Sequence, residues 1–221
     1  MYSKDPILGV KIHELLQMRG VENPVFFDKI KNCTHEVLKN KLHELIELLG
    51  LDLSNSSISK TPDRVSKFFL DELFYGLDYN KFPKATANIN DYNYQNPVFS
   101  KSINFVSTCE HHFANISGKA HVAYIPKNKI IGLSKINRIV DFFAKRPQVQ
   151  ERATRQIFYT LQYVLETDDV AVAINAKHNC LAIRGIKHEG TDNLTFEFGG
   201  KFLSDQNLHN NFYKIISNEP F

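Results

Sequence analysis

The sequence has few cysteines, no tryptophan and no long apolar run, and these shortages exclude several classes of protein. Three cysteines in 221 residues are too few for a disulfide framework, so we expect a protein of the reducing cytoplasm. No apolar run approaches the roughly 20 residues of a transmembrane helix, and the segment from Met1 to Gly20 lacks the pattern of a secretory signal. A net charge of only +3 does not indicate nucleic-acid binding. We therefore expect a cytoplasmic protein without membrane or nucleic-acid partners.

The first part of the chain is predicted to be helical. Apolar residues recur at three-to-four spacing over residues 35–50, and Gly50 ends that pattern. Thr61 and Pro62 are typical of an N-cap followed by proline at the first helical position, and this second helix is expected to end near Gly76. Residues 84–97 are polar and rich in asparagine, which indicates surface loops. We treat residues 1–97 as a helical N-terminal region.

From residue 98 onward the hydrophobic pattern changes to that of an α+β domain, which we place at residues 98–221. The predicted strands are 103–108, 119–125, 169–175, 178–183 and 194–198, and the predicted helices are 134–145, 148–166 and 205–217. Pro147 interrupts one helix and opens the next. This order predicts an antiparallel sheet with a helix pair on one face.

A cluster of metal-binding residue types follows the first of these strands. Cys109 and His112 lie close in sequence, and Cys180 is a third candidate ligand. Cys33 lies in the separate N-terminal region, so a site with four cysteines is excluded. Two cysteines and one histidine suit Zn²⁺ and leave a fourth position open for water, as in catalytic zinc sites.

Two further histidines are expected near this metal. His111 adjoins His112, and His178 precedes Cys180 by two positions, which on a strand places both side chains on one face. Imidazoles move protons near pH 7, so the arrangement favours hydrolysis. The alternatives are a structural zinc closed by His111 or His178, no metal at all, or a Cys109–Cys180 disulfide in an oxidised sample. His121 lies within a predicted strand and is interpreted as a packed residue.

A basic helix start forms a candidate anion site. Ser134 is interpreted as an N-cap, and Lys135 and Arg138 lie three residues apart in the turn that follows. Cations at a helix start are unfavourable because they oppose the helix dipole. A phosphate bound to the free backbone N–H groups, with Lys135 and Arg138 on either side, would explain their presence. Arg184 could reach the same anion. The alternative is a solvated basic surface turn.

Gln150 and Glu151 begin the following helix. Glu151 at this place complements the helix dipole, which is a sufficient explanation in itself. The functional alternative is that the carboxylate and the carboxamide bind the edge of a heterocycle such as guanine.

Taken together, these motifs closely resemble those of GTP cyclohydrolase I, over a span from about Leu38 to the last helix. The motifs that carry the resemblance are Ser-Thr-Cys-Glu-His-His, Gly-Lys-Ala-His-Val-Ala-Tyr-Ile-Pro, Gly-Leu-Ser-Lys-Ile-Asn-Arg-Ile-Val, Arg-Pro-Gln-Val-Gln-Glu-Arg, His178–Gly185 and the Thr-Pro-x-Arg-x-x-Lys segment that ends at Lys67. The segment from Thr191 to Phe202 departs from the family pattern, because its polar stretch is thinner and carries Phe196 and Glu197.

The resemblance implies a tunnelling fold, with a four-stranded antiparallel sheet, and a homo-oligomer, usually a decamer of two pentamers with active sites between subunits. It implies that GTP and water give 7,8-dihydroneopterin triphosphate and formate, the first step of tetrahydrofolate biosynthesis. The residues that it implies are Cys109, His112 and Cys180 for Zn²⁺, His111 and His178 for proton transfer, Gln150 and Glu151 for guanine, and Ser134, Lys135, Arg138, Arg184 and Lys67 for the triphosphate. Lys67 is expected to come from a neighbouring subunit.

Two other functions remain open at this point. One is a nitrile reductase with the same fold, which would use a nucleophilic cysteine and NADPH without a metal. The other is a non-catalytic protein with a structural zinc, which would not need His111, His178 and Glu151.

Overall fold

The computed structural model describes residues 2–184, 187 and 191–217, so Gly185, which ends the motif from His178 to Gly185, lies outside the described residues. The helices are α1 Pro6–Met18, α2 Phe27–Asn32, α3 His35–Leu48, α4 Thr61–Lys67, α5 Leu133–Ala144, α6 Gln150–Leu165, α7 Asn179–Ala182, α8 Lys201–Ser204 and α9 Gln206–Ser217. The strands are β1 Asn88–Ile89, β2 Val98–Cys109, β3 Asn115–Tyr124, β4 Lys129–Ile130, β5 Pro147–Gln148, β6 Val170–His178 and β7 Asp192–Phe198. Within the part of the chain that is described, the structure is α+β, as predicted.

The main sheet has the order β5-β2-β3-β6-β7. The four long strands are antiparallel, whereas the two-residue β5 pairs in parallel with the end of β2, through Thr108 with Pro147 and Cys109 with Gln148. The four long strands match the four-stranded antiparallel sheet that the resemblance implies, and β5 is an additional short strand that gives no sequence pattern. This additional strand brings the chain before α6 to the end of β2.

Along β6 both faces of the sheet are covered. Along β6, Val170, Val172 and Ile174 pack into the core beneath α5 and α6, while Ala171 and Ala173 face a second cluster with Phe212 of α9. This alternation is the period-two pattern of a strand that is buried on both sides. The predicted helix pair on one face is confirmed, and α9 closes the other.

The N-terminal helices follow the sequence pattern with small shifts at their ends. The helix expected over residues 35–50 is α3, which Thr34 caps by accepting from Val37 N at 3.3 Å. The N-cap of α4 is Lys60 rather than Thr61, and after Lys67 the chain continues as a π-helix over Phe68–Leu73. No helix of the described residues is both long and apolar enough for a membrane span.

A buried arginine connects the N-terminal part to the chain that leads into α6. Arg146 is 1% exposed, and its guanidinium lies 3.4 Å from Glu22 Oε1, 3.3 Å from Asn23 Oδ1 and 3.4 Å from the Tyr79 hydroxyl. Asn23 also donates to the carbonyl of Pro147 at 2.8 Å. Because buried charges need such partners, this network fixes the loop that places the start of α6 beside β2.

Candidate metal centre and active site

The three predicted metal ligands converge at one end of the sheet. Cys109 is the last residue of β2, His112 lies in the turn that follows, and Cys180 lies in α7. Their ligand atoms all lie within 4.8 Å of one another, with Cys109 buried, Cys180 half-buried and His112 exposed. The turn is closed by Phe113 N, which donates to Cys109 O at 2.9 Å, and by Cys109 N, which donates to Ala114 O at 2.8 Å. The backbone thus prearranges a group that could hold a metal ion.

The predicted strand over residues 178–183 is wrong, since Cys180 lies in the short helix α7. β3 pairs Ile116 with His178 and begins only one residue earlier, at Asn115, so β6 has almost no partner strand left beyond His178. The chain turns there, and Ile183 N donates to Asn179 O at 2.9 Å. Cys180 therefore reaches the cluster through the helical turn after β6 and not by strand parity with His178.

Without a metal, the surroundings of the cluster favour the neutral forms of Cys180 and His112. Burial is the main cause that raises the pKa of Cys180, and the nearby Cys109 thiol raises it further. Desolvation is the main cause that lowers the pKa of His112, and the positive charge of Arg184 lowers it further. Both effects favour a neutral imidazole. Sγ of Cys109 lies 3.9 Å from Nδ1 of both His111 and His112. A bound cation would favour the thiolates, and metal binding would then release protons.

His178 is held by a buried glutamine. The Gln150 side chain is buried, and its amide nitrogen donates to the carbonyls of Ile174 and Asn193, both at 2.8 Å. These two acceptors fix the orientation of the amide, so the Gln150 oxygen faces His178 Nε2 at 2.8 Å and must accept from it. In a neutral His178 the proton therefore lies on Nε2 and Nδ1 is the basic nitrogen.

Glu151, next along α6, is exposed and lies in the first turn of the helix. Burial lowers the pKa of His178, and the Glu151 carboxylate acts in the opposite direction. The carboxylate is thus close enough to His178 to influence its charge. A ligand that binds Glu151 would therefore lie near His178.

Comparison with known proteins decides the family. The family model described as GTP cyclohydrolase I matches residues 38–217. A protein named GTP cyclohydrolase 1 from Klebsiella pneumoniae is 46% identical over 217 residues, which cover 97% of this chain and 96% of that protein. One of the same name from Salmonella arizonae is 46% identical over 212 residues, 95% of this chain and 96% of that protein. The chain belongs to the GTP cyclohydrolase I family.

As a member of the GTP cyclohydrolase I family, the protein is an enzyme of this type, and the family implies GTP as its substrate. The match over residues 38–217 favours this activity over a nitrile reductase or a non-catalytic zinc protein. His121, which we interpreted as packed, is indeed buried, and its Nδ1 accepts from Ser102 N at 3.4 Å.

The residues that family resemblance assigns to the triphosphate contact different parts of the chain. Nζ of Lys135 donates to the carbonyl of Thr86, and the Arg138 guanidinium lies 5.3 Å from the ring centre of Tyr2. Arg184 instead contacts Nε2 of His112. These contacts do not gather the basic residues around one anion.

Two of the remaining predicted phosphate residues also differ in detail from expectation. Gly132 is the N-cap of α5, and no side chain caps that helix, so the assignment of Ser134 as N-cap is wrong. Ser134 lies inside the first turn, where its backbone N–H is still one of the free donors of a helix start. Nζ of Lys67 lies 2.9 Å from the carboxylate of Asp63 on α4.

Sequence reasoning missed the partners of the Gln150 amide. One is the carbonyl of Ile174 on β6, and two lie on β7: the carbonyl of Asn193 and Thr195 Oγ1, which is 3.2 Å from Gln150 Nε2 and 2.7 Å from Thr154 Oγ1. β7 lies within the segment from Thr191 to Phe202 that departs from the family pattern, and its Asn193 and Thr195 supply two of these contacts. A threonine and an asparagine in a strand carry no signal for such a role, because only the strand register reveals it.

Proposed function

We propose that the protein catalyses the zinc-dependent hydrolysis and ring rearrangement of GTP to 7,8-dihydroneopterin triphosphate plus formate, the first step of tetrahydrofolate biosynthesis. The observation that carries the proposal is the convergence of Cys109, His112 and Cys180 within 4.8 Å in a chain of this family. Two sulfur donors and one imidazole form a set that suits Zn²⁺ better than Mg²⁺ or Ca²⁺, which prefer oxygen.

Zinc held by Cys109, His112 and Cys180 would supply Lewis acidity that lowers the pKa of water to roughly 7. His178 is suited to accept a proton, because burial lowers its pKa and the neutral ring is the dominant form at pH 7. Its Nε2 is engaged by Gln150, so Nδ1 is the atom that exchanges protons with substrate or water. His111, next to the ligand His112, is the second candidate for proton transfer.

Substrate binding is assigned by resemblance. Glu151 would bind the N–H groups of guanine, since a carboxylate accepts from two adjacent donors. Gln150 is the other predicted guanine contact, although both ends of its amide already have protein partners. The residues proposed for the triphosphate are Ser134, Lys135, Arg138, Arg184 and Lys67.

We propose a tunnelling fold that assembles into a homo-oligomer, with a decamer of two pentamers as the expected form. Lys135 and Arg138 contact Thr86 and Tyr2, whereas Arg184 contacts His112. This difference in partners supports an active site to which more than one subunit contributes. The division at residues 1–97 and 98–221 and the cytoplasmic location stay predictions.

A pair of variants tests the roles of the adjacent histidines. His111→Ala should retain bound zinc and lose formate release from GTP, while His112→Ala should lose the metal. Metal content is measured after gel filtration, and formate with a coupled dehydrogenase. If His111→Ala loses zinc and His112→Ala retains it, the two roles are reversed and the proposed ligand set is wrong.

A further inference from the structure

The turn that carries the metal ligands has a second anchor besides its backbone. Glu110 follows Cys109, and its carboxylate accepts from Arg152 through two bonds, Nη1 to Oε2 at 2.5 Å and Nη2 to Oε1 at 3.2 Å. Both side chains are largely buried, with 22% of Glu110 and 20% of Arg152 exposed. Glu110 N also donates to Gln148 O at 3.1 Å. A two-bond pair of this kind fixes the orientation of both groups as well as their separation.

Arg152 does not stabilise its own helix. It lies in the first turn of α6, where a cation opposes the helix dipole. It is also adjacent to Glu151 and two residues from Gln150, the residue that holds His178. The pair therefore joins two short segments, one with the metal ligands Cys109 and His112 and the other with the proposed substrate contacts.

We propose that Glu110 and Arg152 are positioning residues of the active site. Their two-bond pair fixes the metal-binding turn relative to the first turn of α6, and so sets the distance between the metal and a purine held at Glu151. This inference rests on the proposed function, in which zinc and GTP meet at these two segments. Neither side chain needs to touch the substrate for this role.

A double-mutant cycle tests the pair, with Co²⁺ as a spectroscopic probe of the two thiolates. Glu110→Gln and Arg152→Gln should each weaken Co²⁺ binding and lower kcat for GTP by about tenfold, the effect of losing a support for metal ligands, with little change in KM. The variant with both changes should lose no more than the worse single variant, because each single change already breaks the pair. Lys129→Gln, which breaks an ion pair of 2.5 Å with Glu166, is the matched control and should keep both values.

Several results would overturn the proposal. Losses that add in the double variant would mean that the two residues act separately. A lower unfolding midpoint with unchanged Co²⁺ affinity and kcat would mean a purely structural pair. Arg152→Lys preserves the charge and is the variant least liable to unfold. If this variant has the Co²⁺ affinity and kcat of the wild type, the two-bond geometry is not needed. If the wild-type zinc protein releases no formate from GTP, the proposed function fails. The Co²⁺ affinities of the double-mutant cycle would still show whether Glu110 and Arg152 together position the metal-binding turn.

Discussion

Replacing Gln150 by alanine should disable His178 while leaving the metal ligands in place. The change removes two donated bonds of 2.8 Å, to the buried carbonyl of Ile174 and the half-buried carbonyl of Asn193, and it removes the acceptor for His178 Nε2. A buried polar group that loses its partner costs about 1–3 kcal/mol. With two carbonyls affected, we expect the free energy of unfolding to fall by about 2–4 kcal/mol, which an average domain survives.

The effect on activity distinguishes two roles for Gln150. Without its acceptor the His178 ring loses its fixed orientation and tautomer, and kcat should fall by about 10- to 100-fold, as for other supports of active-site histidines. KM for GTP should change little. A guanine contact would behave in the opposite way, with KM raised and kcat nearly unchanged. Initial rates of formate release over a range of GTP concentrations separate these outcomes.

A second buried glutamine provides the control. The Gln156 amide donates to Val21 O at 2.8 Å and to Asn23 Oδ1 at 2.9 Å, and it accepts from Gln148 at 2.7 Å. Gln156→Ala should therefore lose a similar amount of stability in urea unfolding but keep kcat within about twofold. The reasoning is refuted if folded Gln150→Ala protein has the wild-type kcat and KM, or if both variants lose kcat equally.

Three further changes give separate predictions. Cys180→Ser should abolish stoichiometric zinc binding, measured by metal analysis after dialysis, because a hydroxyl is a poor substitute for a thiolate. Lys135→Ala should raise KM for GTP by about tenfold or more, the effect of losing one charged hydrogen bond, and an unchanged KM would remove Lys135 from the phosphate site. Burial raises the pKa of Tyr79, so the folded protein keeps a proton that the unfolded chain loses above about pH 10, and stability falls as pH rises. Tyr79→Phe should make that fall shallower by up to about 1.4 kcal/mol per pH unit, and an unchanged slope in urea unfolding at pH 9–11 would contradict the assignment.

Elements with a long, regular pattern could be predicted from the sequence. Hydrophobic periodicity and stop signals predict three sets of elements: the helix that ends before Gly50, the helix pair α5 and α6, and the four long strands. The short elements could not be predicted in this way. β5 depends on two paired residues beside β2, and α7 depends on where β3 begins, so both are decided by tertiary pairing rather than by local preference.

The part of the candidate site that could be predicted consists of residues whose type alone indicates their chemistry. Cys109, His112 and Cys180 are identifiable because few other residue types bind Zn²⁺, and they converge as expected. The residues that position this site could not be predicted, because glutamine, glutamate and arginine are common throughout protein sequences and indicate no particular role. That Gln150 orients His178, and that Glu110 pairs with Arg152, becomes visible only when the distances between them are known.

Zinc titration of the metal-free protein, with formate release from GTP measured on the same samples, is the decisive experiment for a zinc-dependent cyclohydrolase. Both zinc binding and activity should saturate at one Zn²⁺ per chain, with ligands Cys109, His112 and Cys180. Full formate release from protein that contains no metal would contradict this expectation, as would a complete absence of formate from protein that holds one zinc per chain.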